Sequence, residues 1–267
     1  MIDYHIHTLL CNHAEGGLKP YAEAAVRAGI GEIAFLEHLS FDPEITGHAM
    51  ALSEVPLYFF AIQELKKAFQ GRLVIRAGLE IDYAPHLEDK ISELTRRFDF
   101  DLLGGSIHFV DGVNIASRRQ AKSMDDATFN DLALHYAAKV CELVKSGLFD
   151  VACHLDVIKK NGRTLPLGAT ERLHEALDTM AENGMALEVN AGGLHHPTGS
   201  YYPDHTLITQ AISKGVPLTT GSDAHQPHHA GRGIAEATAH LHALGATHIT
   251  RFHKRQGIPT ALSSLMP

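Results

Sequence analysis

Seven short apolar runs are spread along this chain, separated by amphipathic helical stretches, and each ends on or beside a side chain able to bind a metal. That alternation is the signature of repeated βα units, whose parallel strands build one sheet or close into a barrel. It also restricts where function can sit, because the C-terminal ends of parallel strands all open on one face.

The first run, Met1-Ile2-Asp3-Tyr4-His5-Ile6-His7, alternates Ile2, Tyr4 and Ile6 with Asp3, His5 and His7, the period of a strand with one apolar and one polar face. Residues i and i+2 of a strand lie about 6.6–6.8 Å apart at Cα, so both imidazoles can reach one cation. A helix is expected over 21–28, between Pro20 and Gly29, followed by a strand over 32–37 with His38 at its edge. Ser53 is a candidate N-cap for a helix with Pro56 in its first turn, running to about Phe69 and stopped by Gly71. The third strand, 73–82, carries Glu80 and Asp82 on one face; a helix over 86–97 and a strand over 102–108, ending in His108, come next. A long helix over 125–146 leads to the fifth strand, 150–154, and His154. The sixth strand is 186–190, and the seventh, 217–222, runs into Asp223-Ala224-His225. A weaker eighth run around 248–252 is expected to flank the others. With no linker and 267 residues, a single domain over 1–267 is expected.

Topology of this kind brings His5, His7, His13, His38, Glu80, His108, His154, Asp223 and His225 to one pocket although they span most of the chain. Position matters more than number here, since the chain holds 20 histidines and His86, His135, His174, His240 and His242 are expected on helices. Nine ligands exceed the three or four that one zinc takes, so two or three divalent ions are expected, with zinc, iron and manganese all suited to imidazole and carboxylate. Glu80 and Asp223 are the acidic members and hence the candidate bridges. Such a pocket is strongly cationic and suits an anion, best a small phosphorylated metabolite, attacked by a water or hydroxide held between two ions. Glu80, Asp223 and His225 are the catalytic candidates. Lys159, Lys160 and Arg163, just after the fifth strand, are candidate phosphate contacts, and Arg118, Arg119 and Arg232 are further basic candidates.

The net charge of −8 argues against nucleic acid or an anionic membrane surface as partner. No apolar run approaches the roughly 18 residues of a membrane span, and the first residues lack a secretory pattern, so the cytoplasm is the expected location. Oligomeric state is not encoded in any motif. Cys11, Cys141 and Cys153 are too few and too scattered for a disulfide framework, and Cys141 and Cys153 are expected to be buried. Phosphate-loop, dinucleotide-loop and serine-elbow motifs are missing.

In order, Asp3-Tyr4-His5-Ile6-His7-Thr8, Cys11-Asn12-His13-Ala14, Glu37-His38, Gly78-Leu79-Glu80-Ile81-Asp82, Gly105-Ser106-Ile107-His108, Cys153-His154-Leu155-Asp156 and Gly221-Ser222-Asp223-Ala224-His225 resemble the motifs of the PHP (polymerase and histidinol phosphatase) family, in its histidinol-phosphatase branch. The resemblance spans nearly the whole chain. It implies an α/β fold, a distorted seven-stranded TIM-like βα barrel of PHP type, with a trinuclear site. One ion would be held by His5, His7, Glu80 and Asp223, a second by Glu80, His108 and His154, and a third by His13, His38 and His225. The implied reaction is hydrolysis of L-histidinol phosphate to L-histidinol and phosphate, a late step of histidine biosynthesis. Where that branch tends to carry Asn-Thr-x-Gly-x-Arg, this chain reads Asn190-Ala191-Gly192-Gly193-Leu194-His195, with His196 next, which makes His195 and His196 candidate substrate contacts. A phosphodiesterase, or another phosphoesterase of the same family, would share these ligands. A metal-dependent amidohydrolase would share the opening His-x-His but usually bridges its ions with a modified lysine.

Overall fold

The computed structural model describes residues 1–42 and 45–265. Seven strands, β1 (Ile2–Ile6), β2 (Glu32–Leu39), β3 (Val74–Asp82), β4 (Leu102–Ser106), β5 (Val151–Ala152), β6 (Ala186–Asn190) and β7 (Leu218–Gly221), pair in parallel and in chain order. The sheet nearly closes into a barrel. Ala224, just past β7, bridges Ile6, with His7 N donating to Ala224 O at 3.0 Å and Ala224 N to His5 O at 3.2 Å. Around the barrel stand α1 (Leu18–Arg27), α2 (Val55–Ala68), α3 (Glu88–Thr95), α4 (Asp126–Lys145), α5 (Leu167–Asn183), α6 (His205–Lys214) and α7 (Ile234–Ala243).

Local chemistry explains most boundaries. Asp125 and Asp204 cap α4 and α6 by accepting from Thr128 N, and from Thr206 N and Leu207 N, while Gly184 and Gly215 end α5 and α6 in left-handed backbone. Two starts differ from expectation. Helix α1 begins at Leu18, which leaves Pro20 in the first turn, where its missing N–H is not needed. Ser53 is not the cap of α2: it lies inside a 3₁₀ turn, Leu52–Glu54, and the Glu54 carboxylate accepts from Ala51 N at 3.0 Å.

The barrel is distorted where its strands must pack most closely. Strand β5 has only two residues, and a Cβ on Gly104 of β4 would come within 2.5 Å of Cys153 Sγ, one on Gly105 within 2.7 Å of Phe149. The Gly104-Gly105 pair therefore makes room for the chain around β5. In β1 the polar face is not a wet face: Asp3, His5 and His7 are as fully buried as Tyr4 and Ile6, because they point into the barrel mouth. Cys153 is buried as expected, whereas Cys141 is only half-buried.

The opposite, N-terminal end is closed by an antiparallel hairpin, β8 (His248–His253) with β9 (Gln256–Ala261), outside the barrel sheet. Glu32 at the start of β2 pairs there with Arg76 at 2.6 Å and with Arg251, and accepts from Tyr4 Oη. Asp101, just before β4, accepts from Ala77 N at 2.9 Å, Lys66 Nζ at 2.7 Å and His253 Nδ1 at 3.0 Å, joining β3, α2 and the hairpin. Burial works to raise the Asp101 pKa, but Lys66 and its other donors outweigh that and hold it below the usual range. A depressed carboxylate stabilises above its unfolded pKa and ceases to do so as pH falls through its folded value. Asp101→Ala is expected to cost about 3 kcal/mol at pH 7, the low end for breaking a buried ion pair. Urea titrations should show that gap to wild type shrinking as pH falls below about 4.

Candidate metal centre

Five imidazoles surround one buried carboxylate at the barrel mouth. Glu80, on β3 and fully buried, has His38 Nδ1 at 2.8 Å, His5 Nε2 at 3.3 Å and His7 Nε2 at 3.6 Å from Oε2, with His154 Nε2 at 2.7 Å and His108 Nε2 at 3.6 Å from Oε1. Asp223, past β7, has His7 Nε2 at 3.2 Å and His225 Nδ1 at 3.5 Å from Oδ1. His225 Nε2 in turn lies 3.1 Å from His13 Nε2. All nine side chains proposed from sequence as ligands thus lie in one continuous cluster. Two of them, His154 and Asp223, adopt left-handed φ values of 26° and 56°, conformations that cost a non-glycine residue energy and collect at functional sites.

Hydrogen bonding on the far side of the rings determines what faces inward. His5 Nδ1 lies 2.7 Å from Glu188 Oε1, His108 Nδ1 3.1 Å from Asp82 Oδ1, His13 Nδ1 2.8 Å from Cys11 O and His225 Nδ1 3.0 Å from Asp223 O. All four partners are acceptors, so in each ring Nδ1 carries a proton and Nε2 is the nitrogen turned toward the cluster, the arrangement of a metal-ligating histidine. Lone pairs facing carboxylate oxygens repel unless a cation lies between them. His5 Nε2, both His7 nitrogens and both Glu80 oxygens are buried without a hydrogen bond, which is costly for a polar atom and fits a metal. Donor triplets within 4.8 Å of one another include His5, His7 and Asp223; His5, Glu80 and His154; and His7, His38 and His225. Two nitrogens on one tetrahedral zinc are about 3.3–3.4 Å apart, close to the His13–His225 separation.

The titration of the cluster points the same way. Burial would raise Glu80 and Asp223, but the surrounding imidazoles overcome it and hold both well below the carboxylate range. Burial also lowers the imidazoles. It wins at His7, pushed down to about 3, and at His38, so these remain neutral donors. It is overcome at His108, raised to about 9 chiefly by Asp82 and Glu80, and at His5, raised by Glu188, Glu80 and Asp223. Metal-free, those two rings carry the protons that a metal would displace.

The cluster forms the floor of an open cavity of about 690 Å³. Lys160, His195 and His196, all expected near substrate, line it, as do Arg232, Asp82 and Phe109. Lys159 and Arg163 do not. Lys159 is buried against Asp156 Oδ2 at 2.7 Å, and Arg163 bonds the Asp126 carboxylate at 3.1 Å and stacks over Phe129, pinning the start of α4. Arg119 lies outside the lining, and the Arg118 side chain is outside the described residues. Sequence reasoning missed the roles of four acids around the cluster, of which Asp3, Glu37 and Glu188 are buried and Asp82 is partly exposed. Glu188 accepts from His5 Nδ1 and from His154 N. Glu37 accepts from Thr8 N, with burial raising it to about 7, and lies 3.7 Å from His7 Nδ1. Asp82 holds His108, and Asp3 accepts from Ser222 N and Gly231 N, tying β1 to the segment after β7. Their place on strands that carry or adjoin the ligands was the available signal, and their partners were not.

Comparison with known proteins bears on the same residues. Residues 3–192 match the family model described as PHP domain. The chain is 34% identical over 256 residues to a Deinococcus radiodurans protein described as "probable histidinol-phosphatase", covering 96% of this chain and 98% of that one. It is 31% identical over 250 residues to the histidinol-phosphatase of Bacillus subtilis, covering 84% and 93%. Its fold is similar to that of histidinol phosphate phosphatase from Lactococcus lactis, solved with zinc, L-histidinol and phosphate, at a TM-score of 0.85 and 20% identity over 96% of this chain and 98% of that one.

Displacement of protons from His5 and His108 predicts that metal binding is proton-coupled. Calorimetry in buffers of different ionisation enthalpy should report net proton release on zinc binding, with affinity rising from pH 6 to pH 9. Glu80→Gln should lower the metal content measured by elemental analysis.

Proposed function

The chain belongs to the PHP domain family, and we propose that it is a metal-dependent phosphomonoesterase converting L-histidinol phosphate to L-histidinol and phosphate, a late step of histidine biosynthesis. One observation carries the reading: a buried set of imidazoles and carboxylates whose donor atoms suit bound cations opens directly onto a cavity lined in part by basic side chains. The similarity to histidinol-phosphatases along most of the chain selects the substrate.

Three divalent ions, of zinc, iron or manganese, fit the donor set: His5, His7, Glu80 and Asp223 for one, Glu80, His108 and His154 for a second, and His13, His38 and His225 for a third. Bound there, they supply positive charge to the phosphate oxygens and acidify a water to serve as nucleophile. The protein's own part is placement. Glu80, with His5 facing one oxygen and His154 the other, would bridge ions, and Asp223 and His225 would hold ions where the cluster meets the cavity. Lys160 and Arg232 bring permanent positive charge to the wall and His195 and His196 further donors, which suits a dianion. Phe109 and Asn114, also in the lining, offer an aromatic face and an amide for the imidazole of the leaving alcohol. The cavity is the size of a small-metabolite site. A glutamate at the bridging position favours a phosphoesterase over an amidohydrolase.

Phosphate release should be much faster from L-histidinol phosphate than from other monoesters. Bis(p-nitrophenyl) phosphate and simple amides should be poor substrates, and chelation should abolish turnover until metal is restored. A preference for the diester, or for the amide, would replace this reading. Lys160→Ala should raise KM for the ester roughly tenfold with a smaller change in kcat, the cost of losing one charge-assisted hydrogen bond.

A further inference from the structure

We propose that Glu188 is a positioning residue that sets the metal affinity of the centre by holding His5 and His154 together, and that Gly221 provides the space it needs. Glu188 is buried in the middle of β6. Its two oxygens meet two donors from different parts of the barrel, His5 Nδ1 on β1 at 2.7 Å and His154 N just past β5 at 2.8 Å. The rings of the same two residues direct Nε2 at opposite oxygens of Glu80, at 3.3 and 2.7 Å. One carboxylate therefore orients a ligand on each side of the bridge. It also holds the backbone N–H of a residue whose φ of 26° would otherwise relax.

Only a carboxylate meets both demands. A glutamine has one acceptor oxygen, so either the His5 ring N–H or the His154 backbone N–H would face an amide donor. Gly221 has none of the backbone conformation that demands glycine, and the reason for it is space. A Cβ there would lie 2.1 Å from Glu188 Oε1 and 2.5 Å from His5 Cβ. The latter is anchored directly to backbone and cannot swing aside. The glycine of Gly221-Ser222-Asp223-Ala224-His225 thus serves the carboxylate behind His5 rather than the ligands that follow it.

The inference rests on the metal reading of the cluster, and zinc alone, titrated into metal-free protein in competition with a chelating dye, tests the two separately. Glu188→Gln is expected to weaken zinc binding about 10–100-fold, the usual effect of removing a carboxylate that orients a metal-bound histidine. Gly221→Ala should act in the same direction, and Glu188→Gln should cost less when His5 is already alanine. Glu188→Asp keeps the charge but is one methylene shorter. Weaker zinc binding by this variant, with an unchanged melting temperature of the metal-free protein, supports the positioning role even if Glu188→Gln does not fold. Wild-type zinc affinity in Glu188→Gln or Glu188→Asp, or an undiminished effect without His5, overturns it. Failure of the wild-type protein to bind zinc, iron or manganese would instead remove the metal reading.

Discussion

A carboxylate removed from water must be matched by positive charge, and Glu80 is the place where this protein meets that demand in the most concentrated form. Its oxygens are buried and face five imidazoles, at least two of which, His5 and His108, are committed by their outer hydrogen bonds to turning Nε2 inward. A proton can reconcile one such pair, and at His7 and His38 burial opposes even that. Divalent cations reconcile many pairs at once. The fold around the site can be understood as the means of holding an arrangement that without cations is electrostatically unfavourable.

Rigidity comes from a ring of acids just outside the cluster. Asp3, Glu37, Asp82 and Glu188 each accept at least one backbone N–H, and three of them also lie beside a ligand histidine. Each therefore couples the course of the chain to the orientation of the site. This explains how His154 and Asp223 are kept in left-handed backbone, since neighbouring bonds from Glu188 and His225 hold both peptides.

The two ends of the barrel use charge differently. At the N-terminal end, Glu32, Arg76, Arg251, Asp101 and Lys66 pair carboxylates with cations that are always charged, and the β8–β9 hairpin is fastened over them. Those carboxylates are matched by cations within the protein. At the mouth, carboxylates meet imidazoles, whose charge depends on proton or metal, and a cavity gives access to them. Stability and reactivity are thereby placed at opposite ends of the same strands, as is general for parallel βα barrels.

Much of this could be read directly from the chain. Strand and helix order follow from local periodicity, and the caps Asp125 and Asp204 act within three residues of themselves. The nine candidate ligands could be singled out because parallel topology sends every strand end to one rim, whatever the separation in sequence. Choosing between neighbours was another matter. Lys159 and Lys160 look equivalent in sequence, but a 3₁₀ turn over Val157–Asn161 sets consecutive side chains about 120° apart and stacks residues i and i+3. Lys159 consequently falls onto Asp156, and Lys160 turns to the cavity. Glu188 needed partners 34 and 183 positions away, and no period in the sequence identifies them. The sequence by itself determined which residues stand at the mouth, because that depends on local pattern and strand direction. Only the tertiary structure decided which of them touch, because contact depends on how a distorted barrel closes.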